Sequence, residues 1–116
     1  MQTDKEILEQ LNIQIGDEES KGDEEARSRL ANIIAPQLAL RRADGETFDN
    51  SDQFLKKVQS SGPRETEVVS IDEHGDRAVV ACIVTMKDSG KRFHNLRLFV
   101  RHQGQWTLLG WANEPL

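Results

Sequence analysis

The spacing of apolar residues changes character once along the chain, near Arg64. Upstream the period is helical. Ile7, Leu8, Leu11 and Ile15 form one apolar stripe, and Thr3 with Glu6 ahead of them make a T-x-x-E capping box. Gly16 weakens this helix without ending it. "SKGDEE" ends it, with Gly22 past the last turn and Asp23 capping a second helix. The second stripe is Ala26, Leu30, Ile33 and Ile34, and Pro36 stops it because proline lacks the N–H that the helix needs. The acidic run from Asp17 to Glu25 reads as the solvated link between the two helices, its carboxylates favoured at the second N-terminus. "LALRRADGETF" predicts a short hairpin turning at Asp44-Gly45. Asn50 or Ser51 then caps a third helix with Phe54, Leu55 and Val58 on its core face, and "SSGP" is a loop.

Downstream of Arg64 the period is that of β-structure. "ETEVVSI", "RAVVACIVTM", "RFHNLRLFV" and "WTLLGWANE" are strands, separated by the turns "DEHGD", "KDSGK" and "RHQGQ". Pro115 removes a donor and ends the last ladder. Helices first and a meander afterwards predict an α+β fold, with N-terminal helices packed on one face of an antiparallel sheet and one domain over 1–116. "RAVVACIVTM" is apolar at nearly every position, the mark of a strand covered on both faces. Helices cover only one, so a second copy of the chain is expected on the other, giving a homodimer.

One strand alternates in an unusual way. His94, Leu96, Leu98 and Val100 look like ordinary core, whereas Phe93, Asn95, Arg97 and Phe99 put an amide and a guanidinium between aromatics. If His102 and Gln103 form a type I turn followed by a left-handed Gly104, Arg101 pairs with Gln105. Leu98 then faces Leu108, and Val100 faces Trp106. The opposite face collects Phe93, Asn95, Arg97, Phe99, Leu109, Trp111 and Asn113. A two-residue turn on Gln103-Gly104 instead places Trp111 with Leu96. The first pairing segregates polar from apolar residues more cleanly. The same logic at Ser89-Gly90 sets Ala81 opposite Arg97. Buried and unpaired, such polar groups cost a few kcal/mol each, on the order of 1–3. They need partners: an anionic ligand on Arg97, which can bind a carboxylate bidentately, or an internal acid such as Glu65, Glu67 or Glu114.

Charge and composition narrow the classes. The net charge of −5 among 116 residues argues against a general nucleic-acid binder, whose affinity comes from neutralising phosphates. No apolar run approaches the ~20 residues that span a bilayer, and the acidic N-terminus does not resemble a signal peptide. The single cysteine, Cys82, excludes an internal disulfide and suits a reducing cytoplasm. It lies mid-strand, where burial makes a thiol inert. No cofactor is implied. "DEHGD" contains metal-ligand residue types, but a five-residue turn does not aim them inward, so no metal site is assigned.

Two N-terminal helices, a short hairpin, a capped third helix and a four-strand meander resemble the nuclear transport factor 2-like (SnoaL-like, cystatin-like) superfamily over essentially the whole chain. "LRLFVRHQGQWTLLGW" resembles its uncharacterised bacterial members. It is also similar to the association domain of calcium/calmodulin-dependent kinase II, where an R-x-aromatic strand precedes a D-G-x-W turn. Here those positions are Arg97, Phe99, Gly104 and Trp106, with Gln103 in place of the aspartate. The resemblance implies a strongly curved sheet forming a conical half-barrel, with Arg97 in a deep pocket.

Catalytic members of the superfamily use an Asp, His or Tyr in that cavity. Tyrosine is absent here, and Asp44 and Asp49 have turn and cap roles that account for them. No catalytic residue is therefore assigned. The expected function is binding of a small anionic molecule. Arg97 would receive the charge, Asn95 and Asn113 would orient it, and Phe93, Phe99 and Trp111 would form apolar walls. The alternatives are an isomerase, dehydratase or cyclase with Glu67 or His94 as base, and a pure dimerisation module.

Overall fold

The computed structural model describes residues 1–116. Helix α1 runs Asp4–Lys21 and α2 Glu24–Ala31; strand β1 is Ile34–Arg41, β2 Phe48–Asp49, and helix α3 Ser51–Lys57. The rest is β3 Arg64–His74, β4 Arg77–Met86, β5 Arg92–His102 and β6 Gln105–Pro115. The caps follow from local chemistry. The Thr3 hydroxyl accepts from the Glu6 N–H while the Glu6 carboxylate accepts from the Thr3 N–H. Asp23 caps α2 through the Ala26 N–H, and Asn50 exchanges the equivalent pair with Gln53. Gly22 closes α1 in the left-handed conformation at φ 62°, which a residue with a Cβ adopts only with strain.

Three helices cover one face of a curved, unclosed six-stranded sheet in the order β2-β1-β6-β5-β4-β3. Every neighbouring pair is antiparallel except β1 and β6, which run parallel. Two expectations about the helices change. The second helix ends at Ala31, and Ile33 and Ile34 belong to the approach and start of β1, where the Ile33 carbonyl accepts from the Leu108 N–H at 2.9 Å. Pro36 is tolerated inside β1 because the register with β6 is irregular between Ile34 and Ala39. The acidic run is only in part a solvated link: α1 continues to Lys21, with Glu18 and Glu19 each only 2% exposed, while Asp23, Glu24 and Glu25 stand exposed at the start of α2 as expected.

The face packed under the helices is the larger surprise. It carries Asn95, Arg97 and Phe99 of β5, all buried, together with Val80, Cys82, Trp106, Leu108 and Trp111. His94, Leu96, Leu98 and Val100, read from sequence as core, lie on the opposite face, where Leu96 is 49% exposed. The β5–β6 turn is the two-residue form, with Gln103 and Gly104 both at positive φ (52° and 79°) and His102 paired with Gln105. Phe99 therefore pairs with Leu108. That register would carry Trp111 away from Arg97, but β6 contains one extra residue, Leu109, between the Phe99–Leu108 and Leu98–Gly110 pairs. This bulge reverses the alternation and returns Trp111 to the position opposite Arg97, with Asn113 opposite Asn95. On the other side Val80, not Ala81, stands opposite Arg97. A second bulge at Val69 in β3 adds to the bend of the sheet.

Helix α1 approaches β3 closely where Gly16 meets Thr66. A Cβ on residue 16 would lie 2.2 Å from the threonine Oγ1, so glycine is present in the helix for packing. This close approach lowers the α1 stripe of Leu8, Asn12, Ile15 and Glu19 onto the sheet, all four side chains buried at spacings of one helical turn.

Candidate functional site

Two members of that stripe are polar, and both meet the polar residues of the sheet. The Asn12 side chain donates to the Leu8 carbonyl at 2.7 Å, which turns its Oδ1 toward Arg97. Arg97 Nη1 donates to this oxygen at 3.0 Å, and Nη2 donates to Asn95 Oδ1, also at 3.0 Å. Asn95 Oδ1 accepts a second bond, from Trp111 Nε1 at 3.0 Å. The guanidinium carbon lies 4.5 Å from the centre of the Trp111 ring, in cation–π contact. Arg97 is fully buried, its Nε has no partner, and no carboxylate is bonded to it. Burial pulls its pKa down while Cys82 and Glu19 act to raise it, and a guanidinium remains protonated in proteins regardless. Of the acids expected to pair with it, Glu65 and Glu67 are exposed on β3, while Glu114 is bonded to Arg41 at 2.7 Å.

Above this layer is a cavity of about 380 Å³. Asn95, Trp111, Asn113 and Phe93 line it; Arg97 and Phe99 do not. The structure thus gathers four of the six residues named from sequence into one wall, with Arg97 beneath it and Phe99 in the hydrophobic core. Because Asn95 Oδ1 is held by two donors, its amide N–H₂, which bonds to no protein acceptor, is the group left for the cavity. The rest of the wall includes the apolar Val84 and Met86 and the charged Arg42, Lys57, Arg64, Lys91 and Glu19.

The sequence reading missed the charged side. Asp49, buried at the end of β2, accepts from Arg42 at 2.7 Å and from Lys57 at 2.9 Å, so it holds both cations at the cavity. These donors keep the Asp49 carboxyl below its ordinary range even though burial, the largest influence, pushes it up. Glu19 accepts from Arg64 Nη1 at 3.1 Å through Oε2, while Oε1 has no partner. Burial pushes the Glu19 carboxyl above its ordinary 4.5, against the pull of Arg64, Arg97 and Arg42. The buried Asn113 Oδ1 also lacks a donor. Each unpartnered acceptor of this kind costs about 1–3 kcal/mol. Asn12 and Glu19 could have been found in the sequence, because both fall on the Leu8–Ile15 face at helical spacing.

His94 and Glu67 stand side by side across Ile83 on the uncovered sheet face, away from the cavity. Cys82 is buried under Asn12, and burial raises its thiol pKa. No three His, Cys, Asp or Glu side chains converge to hold a metal ion, and no helix is long and apolar enough to cross a membrane.

Two measurements probe this arrangement. Arg97→Lys replaces a planar fork by a point charge that cannot reach Asn12 and Asn95 together or stack on Trp111. We expect a loss of about 2–3 kcal/mol in urea unfolding; an unchanged midpoint would show that the fork geometry does not matter. The second concerns pH. A folded-state pKa above 4.5 means that the folded chain keeps the Glu19 proton longer than the unfolded chain. The linked stability is complete below that value and is lost as pH rises through the folded-state pKa. Asp4, Glu18, Asp44 and Asp49 are shifted down, so their contributions change on the acid side of this window. Glu19→Gln should therefore flatten the decline in stability above pH 4.5. A wild-type decline of the same slope as the variant's contradicts the assignment.

No protein-family model matches the sequence, and no curated protein matches it. Solved structures do. A nuclear transport factor 2-like protein of unknown function from Silicibacter pomeroyi is 19% identical, with all of both chains covered and a TM-score of 0.83. A candidate calcium/calmodulin-dependent kinase II association domain from Exiguobacterium sibiricum is 16% identical over 100% of this chain and 96% of its own, with a TM-score of 0.80. An uncharacterised protein with a cystatin-like fold from Caulobacter vibrioides is 18% identical over 82% of this chain and 79% of its own, with a TM-score of 0.58. With element order, sheet order and site geometry in view, these likenesses show that the chain has the nuclear transport factor 2-like, cystatin-like fold.

Proposed function

We propose that the protein binds a small organic anion in the cavity formed by α1, α3 and the inner face of the sheet. The observation that carries this reading is the charge of the wall: four basic residues and one acid, in a chain of net charge −5. The Arg97 cation sits directly below the floor without a carboxylate. A concave site whose charged lining is mostly of one sign concentrates ligands of the other sign. Val84, Met86, Phe93 and Trp111 supply the apolar surface that a site of this size uses for most of its contact. Arg97 thus acts through the field it creates and through Asn95, whose amide it polarises. The ligand's charge is met by Arg42, Lys57 and Lys91, nearer solvent.

Cinnamate, an apolar body with one carboxylate, is a suitable probe for isothermal titration calorimetry. Lys91 is exposed and has no ion-pair partner, so Lys91→Glu changes the field at the mouth without touching the core. We expect cinnamate to bind the wild type and the variant to bind it about fivefold more weakly, an effect that shrinks at high salt. Absence of binding, or equal binding by the two proteins, counts against an anion site.

A second reading concerns assembly. Val79, Leu96 and Leu98 lie together on the uncovered face, at paired or adjacent register positions, and Val79 and Leu96 are 37% and 49% exposed. An apolar patch in the middle of a sheet is a common protein interface. We propose that two copies pair through it. Light scattering should give twice the chain mass for the wild type and the single-chain mass for Leu96→Lys; a monomeric wild type at micromolar concentration would rule this out.

A further inference from the structure

The polar groups at the buried end of the cavity differ in kind from those at its mouth. At the mouth stand cations, with Lys91 exposed and the Lys57 side chain 50% exposed. At the buried end stand the Asn95 amide N–H₂, whose orientation is fixed because Arg97 and Trp111 both hold the oxygen, and Glu19 Oε1, buried and without a donor. Asn113 is beside them in the wall, with a buried Oδ1 that lacks a donor and an N–H₂ that bonds to no protein acceptor. The Arg64 guanidinium, also in the wall, is already committed to Glu19 Oε2 and to the Ser61 and Gly62 carbonyls. Glu19 is itself 2% exposed and is one of the residues of the cavity wall.

A carboxylate seated at this end would accept from Asn95 but would set its oxygens against the unpartnered Glu19 Oε1. An alkyl or aryl end would leave all three groups unpaired. A hydroxyl fits, because it accepts from an N–H and donates to a carboxylate or amide oxygen at once. Resting on the reading of the cavity as an anion site, we infer that its ligand is a hydroxylated organic anion that enters hydroxyl first. The hydroxyl lies between the Asn95 amide and Glu19, with Asn113 beside them. The apolar body lies along Phe93, Trp111 and Met86, and the anionic group remains at Lys57 and Lys91. Glu19 is then the specificity-determining residue, since a site built to bond a hydroxyl discriminates strongly against an analogue that lacks one.

Three probes separate the parts of this inference by calorimetry: 4-hydroxycinnamate, cinnamate and 4-hydroxycinnamyl alcohol. We expect 4-hydroxycinnamate to bind at least about tenfold more tightly than cinnamate. In Glu19→Met, which keeps the side-chain length but removes the acceptors, that ratio should fall to near one while cinnamate keeps most of its affinity. Glu19→Met leaves Arg64 without its partner. If it does not fold, Glu19→Met combined with Arg64→Met removes both charges together, and the same ratio is read. Equal binding of the two acids by the wild type overturns the hydroxyl assignment and leaves the anion reading intact. Binding of the uncharged alcohol as tight as that of 4-hydroxycinnamate overturns the anion reading and this inference with it. Binding of none of the three overturns both.

Discussion

The guanidinium of Arg97, sealed under the helices with no carboxylate bonded to it, is the constraint around which the polar interior is arranged. An unpaired buried charge is costly, and here three kinds of contact offset the cost. Asn12 reaches it from α1, Asn95 from its own strand, and the Trp111 ring from β6. Each contact demands something elsewhere. Asn12 must be turned by the Leu8 carbonyl, which requires an unbroken helix. The helix must lie low on the sheet, which requires glycine at position 16. Trp111 must stand opposite Arg97, which requires the extra residue at Leu109. Helix position, strand register and bulge are therefore tied to one another through a single side chain.

The same arrangement accounts for the cavity's electrostatics. The acids that touch its cations are themselves buried: Asp49 behind Arg42 and Lys57, and Glu19 beside Arg64. They fix where the cations stand without presenting carboxylates to the opening. The chain as a whole is acidic, whereas four of the five charged residues that line the cavity are basic.

Much of the fold was legible in the sequence because its signals are local. The capping residues Thr3, Asp23 and Asn50, the stop at Gly22 and the turns at Asp44-Gly45 and Gly104 all act within a few residues. The alternation of β5 correctly set Asn95 beside Arg97. What was not legible was which face of that strand is the core. Leu96, Leu98 and Val100 are the more apolar set, and apolarity is the usual sign of burial. The helices nevertheless cover the other set, because Asn12 and Trp111 satisfy its polar members. Asn12 and Glu19 were missed for the same reason: a polar residue on a buried stripe looks like solvent-facing punctuation until its partner is known, and that partner lies 85 positions away for Asn12. The grouping of Trp111 with Arg97 was expected, yet it arises from a different turn and a bulge whose two changes of parity cancel.

That cancellation bears on how this chain can be compared with others. Leu109 is a place where β6 changes which of its sides faces inward. A relative without the bulge would carry the same inward residues at spacings one shorter after this point, so an ungapped alignment through β6 would match core against surface from Trp111 onward. At 14–19% identity, one unrecognised insertion inside a strand can hide correspondences that superposed backbones still display. Kinship in this fold is better traced by which side chains meet across the sheet than by their order along it.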